Sequence, residues 1–243
     1  MAPTKIPEAP ATAPKIKVKT TWPTLPERSA RTPIRTKRLL LRLFEASDAE
    51  AIYELRKQPE VMIWTPTGTA DQSIEHSRAF LEHLLPPKDF DKYTWIITYS
   101  ENSGEAIIGF GGTTRVRHEA GWPEIGFLFR KEYWGLGLAT EFLRGFLEAW
   151  WALPRSEIEL EVEPDSIGKR KEEDGVIRVP EVLLGMTMEG NMGSRRVLEK
   201  SGFIEFKRWT QPDTRTGYEG KDVTLLRFRL EVPGKLNGQA DNV

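Results

Sequence analysis

The stretch Glu124-Ile-Gly-Phe-Leu-Phe-Arg-Lys-Glu-Tyr-Trp-Gly-Leu-Gly-Leu-Ala-Thr140 decides the fold. Residues 124–129 are a short apolar and aromatic run, which predicts a buried strand. Gly135 and Gly137 follow, and because glycine lacks a Cβ, backbone N–H groups there can approach a ligand closely. Apolar residues then recur at helical spacing as far as Trp151. The stretch therefore predicts a strand, a glycine-bearing turn and a helix whose start favours a phosphate.

Two other phosphate-binding motifs match this turn less well. Thr140 replaces the third glycine of a dinucleotide-binding Gly-x-Gly-x-x-Gly, and the turn lies in mid-chain instead of in a first strand–helix–strand unit. No Gly-Lys-Ser/Thr follows, which excludes a phosphate-loop NTPase at this turn. A plain strand–turn–helix connection that binds nothing stays open at this point.

The composition of the chain excludes several classes of site. The 243 residues are enough for one well-buried domain and include no cysteine, so disulfides, thiolate metal sites and a cysteine nucleophile are excluded. The three histidines are scattered, so we expect no metal site. No apolar run approaches the roughly 18 residues that a membrane span needs, and the start has no signal-peptide core. We therefore expect a cytoplasmic protein.

The near-neutral formal charge of −1 hides an asymmetry between the N-terminus and the rest of the chain. Residues 1–38 carry +7 and the remainder carries −8. Seven prolines lie among Ala, Thr and Lys in residues 1–33, a composition that predicts a disordered tail. This basic tail could dock on an acidic partner, but a solvated arm is the simpler interpretation, and the whole chain gives no strong nucleic-acid signal.

Residues 34–230 predict one α/β domain, and residues 231–243 predict a frayed end. The pattern of runs and turns indicates a mixed, largely antiparallel sheet of six or seven strands with about four helices. Two runs have a β-strand pattern, residues 157–163 and 181–188. Either of them could be the strand that lies beside residues 124–129. We favour the second run, because it leads directly into the next motif. The charged block between them, residues 164–180, then predicts an inserted loop.

A second motif is Asn191-x-x-Ser194-x-x-x-Leu-Glu-Lys-x-Gly-Phe203, which predicts a short helix with Asn191 as its N-cap. Together with Tyr133-Trp-Gly-Leu-Gly-Leu-Ala-Thr-Glu141, in this order, it resembles the GNAT superfamily of acyl-CoA N-acyltransferases. The opening Arg38-Leu-Leu-Leu-Arg42 is similar to the branch that contains ribosomal-protein alanine acetyltransferases. The resemblance covers about residues 35–230 and implies the mixed α/β fold of that family.

The resemblance implies a binding site for acetyl-CoA. The strand of the first motif would pair through its backbone with the pantetheine arm, the glycine turn would bind the pyrophosphate, and Asn191 would donate a hydrogen bond to the arm. Trp134 stands where the family usually has Gln or Arg, which leaves the backbone donors of the turn in place. The residues expected to contact acetyl-CoA are Phe127, Leu128, Phe129, Trp134, Gly135, Leu136, Gly137, Leu138, Ala139, Thr140, Asn191 and Ser194.

The resemblance also implies direct transfer of the acetyl group to an amine. Leu198 stands where many members carry a tyrosine that serves the departing thiolate, and Ser194 supplies a hydroxyl instead. A hydroxyl is sufficient to stabilise the departing CoA thiolate. A thiol has a pKa of about 8.5, so its thiolate needs a hydrogen bond and not a strong acid. Glu124 is the first candidate for the carboxylate that takes the amine proton, and Glu189 is the second. Each of these three side chains could instead be an ordinary solvated polar residue.

The function that these patterns favour is N-acetylation of a primary amine, either a protein α-amine or a small molecule. The alternative is a catalytically silent acyl-CoA-binding or regulatory protein on the same fold. The sequence does not choose the acceptor, because acceptor pockets are built from variable loops. The resemblance implies that the acceptor enters near the far end of the strand that follows the insertion, so residues 164–180 could form a rim over that entrance. The alternative is a solvated loop with no role.

Overall fold

The computed structural model describes residues 14–101, 104–114 and 120–233. Its strands are β1 (Ile16–Pro23), β2 (Ile34–Arg35), β3 (Leu39–Arg42), β4 (Tyr93–Glu101), β5 (Gly104–Thr113), β6 (Glu124–Phe129), β7 (Arg155–Val162), β8 (Lys171–Glu173), β9 (Val176–Arg178), β10 (Val182–Met188), β11 (Ile204–Pro212) and β12 (Asp222–Glu231). Its α-helices are α1 (Ala49–Arg56), α2 (Pro59–Met62), α3 (Ile74–Glu82), α4 (Leu138–Ala152) and α5 (Met192–Lys200).

The main sheet has eight strands in the order β11-β12-β10-β6-β5-β4-β3-β2. β6 and β10 run parallel, and every other neighbouring pair is antiparallel. The predicted α/β class with a mixed, largely antiparallel sheet is confirmed, although the main sheet has eight strands where six or seven were expected. The frayed end falls almost entirely outside the described residues, since β12 continues to Glu231 and residues 234–243 are not described.

The main sheet has an apolar core on each face, because successive strand residues point to opposite sides. Trp95 and Ile97 pack against α4, which contributes Phe146 to the larger cluster. Ile96, between them, packs on the other face with α1 and α3, where Leu81 belongs to the same cluster. The five helices described are thus divided between the two faces, with α4 and α5 on one and α1, α2 and α3 on the other.

β10 lies beside β6, which confirms the prediction that the second β-like run takes this place. Leu184 pairs with Glu124 and Gly185 pairs with Ile125. The first run, β7, is not part of the main sheet.

A second sheet of four strands has the order β7-β1-β9-β8. β1 and β7 pair antiparallel over eight residues, and the buried side chains Val18, Trp122 and Leu160 belong to its apolar core. The prediction of a disordered tail over residues 1–33 is therefore wrong for residues 16–23, while residues 1–13 lie outside the described residues. Composition misleads here because the partner strand that buries β1 comes from the distant β7.

The inserted block at residues 164–180 is also more ordered than a loop. β8 and β9 form a hairpin whose turn, Asp174-Gly175, has φ angles of 52° and 72°. β9 then pairs with β1 at Arg178 and Lys19. The prediction of an inserted loop is wrong for these two strands, because β1 supplies an edge on which they can pair. The proposed rim over the acceptor entrance stays a prediction.

Candidate functional site

The parallel pair β6–β10 opens into a gap after its first two residue pairs. Among the residues that the structure describes, the pairing ends at Gly185 and Ile125, yet β6 continues to Phe129 and β10 to Met188. Each strand keeps its outer neighbour over this length, β6 with β5 and β10 with β12. The inner edges of residues 126–129 and 186–188 therefore present backbone donors and acceptors to an extended ligand.

Gly126 leaves open space on one face of this gap. A Cβ at Gly126 would meet no atom within 4 Å. Alternation places Glu124 and Leu128 on the same face as Gly126, and Leu128 packs on the α1–α3 cluster. Phe127 and Phe129 point to the other face, where both rings contact Phe142 of α4. The aromatic residues thus fix the strand, and the glycine leaves room beside it.

The glycine turn follows the end of β6 and has the backbone that close ligand approach requires. Gly135 and Gly137 both have φ of 76°, in the left-handed region that favours glycine. Gly137 is the N-cap of α4, a helix of 15 residues. The N–H groups of Leu138, Ala139 and Thr140 belong to the first turn of this helix, where amides have no partner within the helix. The turn therefore has the donors and the dipole end that an anion needs.

Trp134 ties the turn to β6, since its indole N–H donates to the carbonyl oxygen of Phe129 at 2.8 Å. The rest of its side chain is exposed, as are Leu136 and Met192. In the described part of the chain, three of the five exposed large apolar side chains are therefore found at the two motifs. Exposed apolar side chains concentrated in this way mark a contact surface.

The second motif meets the first at one edge of the sheet, because each follows the carboxyl end of one of the two parallel strands. The predicted N-cap is confirmed: the side-chain oxygen of Asn191 accepts a hydrogen bond from the backbone N–H of Ser194 at 3.0 Å. The cap uses only that oxygen, so the two amide N–H donors of Asn191 are not consumed by it. Ser194 is half-buried in the first turn of α5.

The two candidate carboxylates lie at opposite ends of the gap. Glu124 begins β6, is half-buried and has one buried carboxylate oxygen. Glu189 follows the end of β10, is exposed and forms an ion pair with Arg208 at 2.5 Å. Leu184, the partner of Glu124, and Glu189 are five strand residues apart, which corresponds to about 16 Å. The structure therefore does not bring the two carboxylates together.

A cleft of about 490 Å³ adjoins the glycine turn, and most of the residues around it are not among those predicted from the sequence. It lies between the segment that joins β2 to β3 and the outer surface of α4. Its lining consists of four basic residues, two acidic residues and four small ones: Arg35, Lys37, Arg38, Arg144, Glu141, Glu148, Thr36, Thr140, Gly137 and Gly145.

Glu141 joins the two sides of this cleft by hydrogen bonds from α4 to the segment between β2 and β3. Its carboxylate accepts three hydrogen bonds of 2.7 Å, from the Thr36 hydroxyl, the Arg38 backbone N–H and the Arg38 Nε. Burial alone would raise the pKa of Glu141, but these bonds outweigh it, so the pKa lies below its ordinary value. Arg38 also donates to the carbonyl oxygen of Leu136 in the turn, at 3.1 Å. The Thr36-x-Arg38 spacing is the available signal, but the sequence singles out Arg38 only as part of the Arg38–Arg42 stretch that is similar to one branch of the family.

The described residues offer neither a metal-binding cluster nor a membrane-spanning helix. Residues 14–101, 104–114 and 120–233 contain no group of three or more His, Asp or Glu side chains that could hold a metal ion. Within the same ranges, no helix is long and apolar enough to cross a membrane.

Comparison with known proteins places these features in context. A family model described as an acetyltransferase (GNAT) domain matches residues 38–204. The uncharacterized N-acetyltransferase p20 of Bacillus licheniformis is 25% identical over 178 residues, covering 69% of this chain and 97% of the relative. β1 precedes the residues that the family model matches.

Two solved structures share the fold at low identity. The ribosomal L7/L12 α-N-protein acetyltransferase RimL in complex with coenzyme A has a TM-score of 0.58 at 14% identity, covering 81% of this chain and 97% of that chain. Spermidine N-acetyltransferase from Vibrio cholerae in complex with CoA and spermine has a TM-score of 0.57 at 13% identity, with the same coverage of 81% and 97%.

Proposed function

This chain belongs to the GNAT acetyltransferase family, and from that premise we propose that it transfers the acetyl group of acetyl-CoA to a primary amine by direct attack. The observation that carries the proposal is the gap between β6 and β10, which leads directly to the glycine turn at the start of α4. An extended arm that carries amides fits between two strand edges, and a pyrophosphate fits the helix start.

Donor binding uses mainly the backbone. The inner edge of residues 127–129 pairs with the amides of the pantetheine arm, and the amide N–H groups of Asn191 add a donor from the opposite side. The N–H groups of residues 138–140 bind the pyrophosphate, which is favoured by the positive end of the α4 dipole. Trp134 keeps its indole N–H on β6, so the change from the usual Gln or Arg costs the turn none of its backbone donors.

Glu124 acts as the base in this proposal. The amine nitrogen attacks the thioester carbon, a C–N bond forms, the C–S bond breaks, and the amine proton passes to Glu124 directly or through water. An alkyl ammonium has a pKa of ~10.4, so its deprotonation at pH 7 costs about 4.6 kcal/mol. A base positioned next to the amine therefore favours the attack. Ser194 donates a hydrogen bond to the departing thiolate. Glu189 is the weaker candidate because Arg208 already matches its charge.

The acceptor is a primary amine whose identity the family leaves open. The two structural relatives named above are a ribosomal-protein α-N-acetyltransferase and a spermidine N-acetyltransferase. The alternative function, a silent acyl-CoA-binding protein, shares the gap and the turn with the enzyme. Only the chemistry at Glu124 and Ser194 separates these two functions.

The test is release of CoA thiol from acetyl-CoA in the presence of a panel of peptides with free α-amines and of polyamines. The protein has no cysteine, so a thiol reagent reports only the product. We expect amine-dependent release, and Glu124→Gln should lower kcat by about 100-fold or more while the Kd for acetyl-CoA is unchanged.

Glu189→Gln is the matched control and should leave kcat within about twofold of wild type, because Glu189 is exposed and already paired. Acetyl-CoA binding without thiol release for any amine would favour the silent alternative. An equal loss in both variants would place the base elsewhere.

A further inference from the structure

We propose that Trp122 and Ser166 are positioning residues for Glu124, and that the hydrogen bond between them lets the second sheet fix the base in place. This inference rests on the proposed function, because it concerns the side chain that takes the amine proton. It goes further by giving the second sheet, to which neither motif belongs, a part in the chemistry.

The contact between Trp122 and Ser166 is fully buried. The indole N–H of Trp122 donates to the hydroxyl oxygen of Ser166 at 2.8 Å, and both residues are 0% exposed. The same hydroxyl donates to the carbonyl oxygen of Glu163 at 2.5 Å, so it has both a donor and an acceptor as partners. Because both residues are closed off from solvent, loss of either partner leaves a buried polar group without its hydrogen bond. The contact therefore fixes the indole relative to Ser166.

The segment that carries Ser166 is itself anchored to the main sheet. Glu163 immediately precedes the short 3₁₀ helix Pro164–Ser166, which follows β7. Its buried carboxylate accepts hydrogen bonds from Arg227 of β12 at 3.0 Å and from Lys207 of β11 at 3.3 Å. Arg227 is buried as well, and breaking a buried ion pair leaves an uncompensated charge. Ser166 thus has a fixed position relative to the main sheet.

The residues that lead into Glu124 lie along this anchored segment. The backbone N–H of Glu163 donates to the carbonyl oxygen of Ala120 at 3.2 Å. Gly121 has φ of 91°, and a Cβ there would lie 2.3 Å from the carbonyl oxygen of Glu161 in β7. Only glycine allows the chain to pass this close to β7. The approach to β6 is therefore built against the second sheet.

Trp122 and Glu124 are two residues apart, and the contacts between them transmit the position of the indole. Pro123 accepts a hydrogen bond from the backbone N–H of Leu184 at 2.8 Å. Leu184 pairs with Glu124, and its side chain belongs to the same buried cluster as Trp122. With the indole fixed by Ser166, the backbone of Glu124 has a defined place beside the gap. This matters for a base, because a displacement of about 1 Å can cost about 100-fold in rate.

The test measures kcat for thiol release in Ser166→Ala and in Trp122→Phe, with the amine of the peptide and polyamine panel that wild type acetylates fastest. We expect each variant to lower kcat by about tenfold, because Glu124 loses its alignment. The Kd for acetyl-CoA, from isothermal titration, should stay within about twofold of wild type. The two variants remove opposite partners of one hydrogen bond, so if one of them fails to fold the other decides.

A double-mutant cycle with Glu124→Gln separates positioning of the base from a general loss of stability. In the Glu124→Gln background, Ser166→Ala should leave kcat within about twofold, because no carboxylate remains to be aligned. A contact with a structural role alone would give the same fold loss of kcat in both backgrounds.

Ser77→Ala is the matched control. Ser77 of α3 is also 0% exposed, and its hydroxyl also has a hydrogen-bond partner, the Asp71 carboxylate at 2.6 Å. Both serine-to-alanine variants should lower the unfolding temperature, by about 5 °C. Only Ser166→Ala should lower kcat.

The outcomes separate this inference from the function on which it rests. A kcat within about twofold of wild type in both Ser166→Ala and Trp122→Phe, or an equal loss in Ser77→Ala, overturns the inference and leaves the base standing. So does a Ser166→Ala loss that persists in the Glu124→Gln background. If Glu124→Gln itself leaves kcat unchanged, the base and this inference fall together. Absence of amine-dependent thiol release from wild type overturns the proposed function and the inference with it.

Discussion

The two sheets of this protein differ in how their pairing is distributed along the chain. In the main sheet, β3, β4, β5 and β6 pair with their neighbours in chain order, and the two motifs lie at the ends of β6 and β10. In the second sheet, β1 near the N-terminus pairs with β7, so that Ile16 lies opposite Val162. The main sheet can therefore be inferred from local patterns, whereas the second sheet depends on a contact between distant segments.

The second sheet also supports the strand that lines the gap. Glu181, immediately before β10, is buried and accepts hydrogen bonds from Arg155 of β7 at 3.0 Å and from Thr21 of β1 at 3.1 Å. Burial raises the pKa of Glu181 despite the opposing charge of Arg155. Val182 and Leu184 of β10 belong to the same apolar cluster as Val18. The second sheet thus stabilises the first half of β10, which is the half that pairs with β6.

Removing β1 should have the largest effect on the stability of the protein. Deletion of residues 1–23 leaves β7 and β9 without their shared partner and exposes the cluster around Val18. We expect a loss comparable to the stability of a whole domain, about 5 kcal/mol or more. Chemical denaturation of the truncated chain measures it. Deletion of residues 1–13 alone, which removes none of these pairs, should leave the unfolding midpoint unchanged, and an equally stable 1–23 deletion would show that β1 is dispensable.

Placing a negative charge in the glycine turn should affect ligand binding next most strongly. Gly137→Glu brings a carboxylate to the proposed pyrophosphate site and strains a backbone with φ of 76°. We expect the affinity for acetyl-CoA to fall by about 100-fold or more, since like charges replace an anion site.

Gly175→Glu is the matched control for that change. Gly175 has φ of 72°, and a Cβ there would meet no atom within 4 Å, but it lies in the β8–β9 hairpin of the second sheet. It should carry the same backbone strain and leave the Kd for acetyl-CoA as in wild type. Equal losses in both variants would mean that strain, not charge at the turn, causes the effect.

Glu141→Gln should destabilise the protein in a pH-dependent way. The folded protein holds the pKa of Glu141 below its ordinary value of 4.5, so its stabilisation is present above that pH and is lost as the pH falls through the lowered pKa. At pH 7 we expect a loss of about 1.5 kcal/mol, because hydrogen bonds to a charged acceptor become bonds to a neutral one.

The measurement for Glu141→Gln is urea denaturation between pH 3 and pH 7, with Glu148→Gln on the exposed side of the same helix as control. The difference between wild type and Glu141→Gln should shrink below about pH 4.5. A difference that stays constant over this range would contradict a stabilising role for the charge.

Charged residues on the exposed face of the second sheet should contribute least to the free energy of unfolding. Glu159 lies 3.6 Å from both Lys17 and Lys19, and all three side chains are largely or partly exposed. Glu159→Gln should cost less than about 0.5 kcal/mol by the same denaturation measurement. A loss above about 1 kcal/mol would mean that surface charges, rather than the apolar cluster around Val18, hold β1 in place.

The sequence predicted those parts of the fold whose signal is local. The strand at residues 124–129, the glycine turn, the α4 helix and the Asn191 cap each depend on a few neighbouring residues. β10 was placed beside β6 because it runs directly into the second motif. The location of β1 was missed, because the prolines and lysines of the N-terminus outweigh the β-forming pattern around Val18 when composition alone is considered.

The candidate site was predicted only in part, for a related reason. The motifs identified the residues around the gap, but the cleft beside α4 is formed by two segments about 100 residues apart, and Glu141 joins them. The sequence shows that Arg38 is charged, but it does not show which residue Arg38 contacts, so its role at the cleft could not be predicted. The separation of Glu124 from Glu189 likewise depends on the register of β6 with β10.

The most direct test of the central claim, that β6 and β10 hold acetyl-CoA between them, is hydrogen exchange of the full chain with and without acetyl-CoA. We expect exchange to slow in residues 126–140 and 186–194, where backbone N–H groups meet the ligand. Exchange in β1 and β7 of the second sheet should not change. Protection confined to the second sheet, or no protection in residues 126–140 at saturating acetyl-CoA, would contradict the claim.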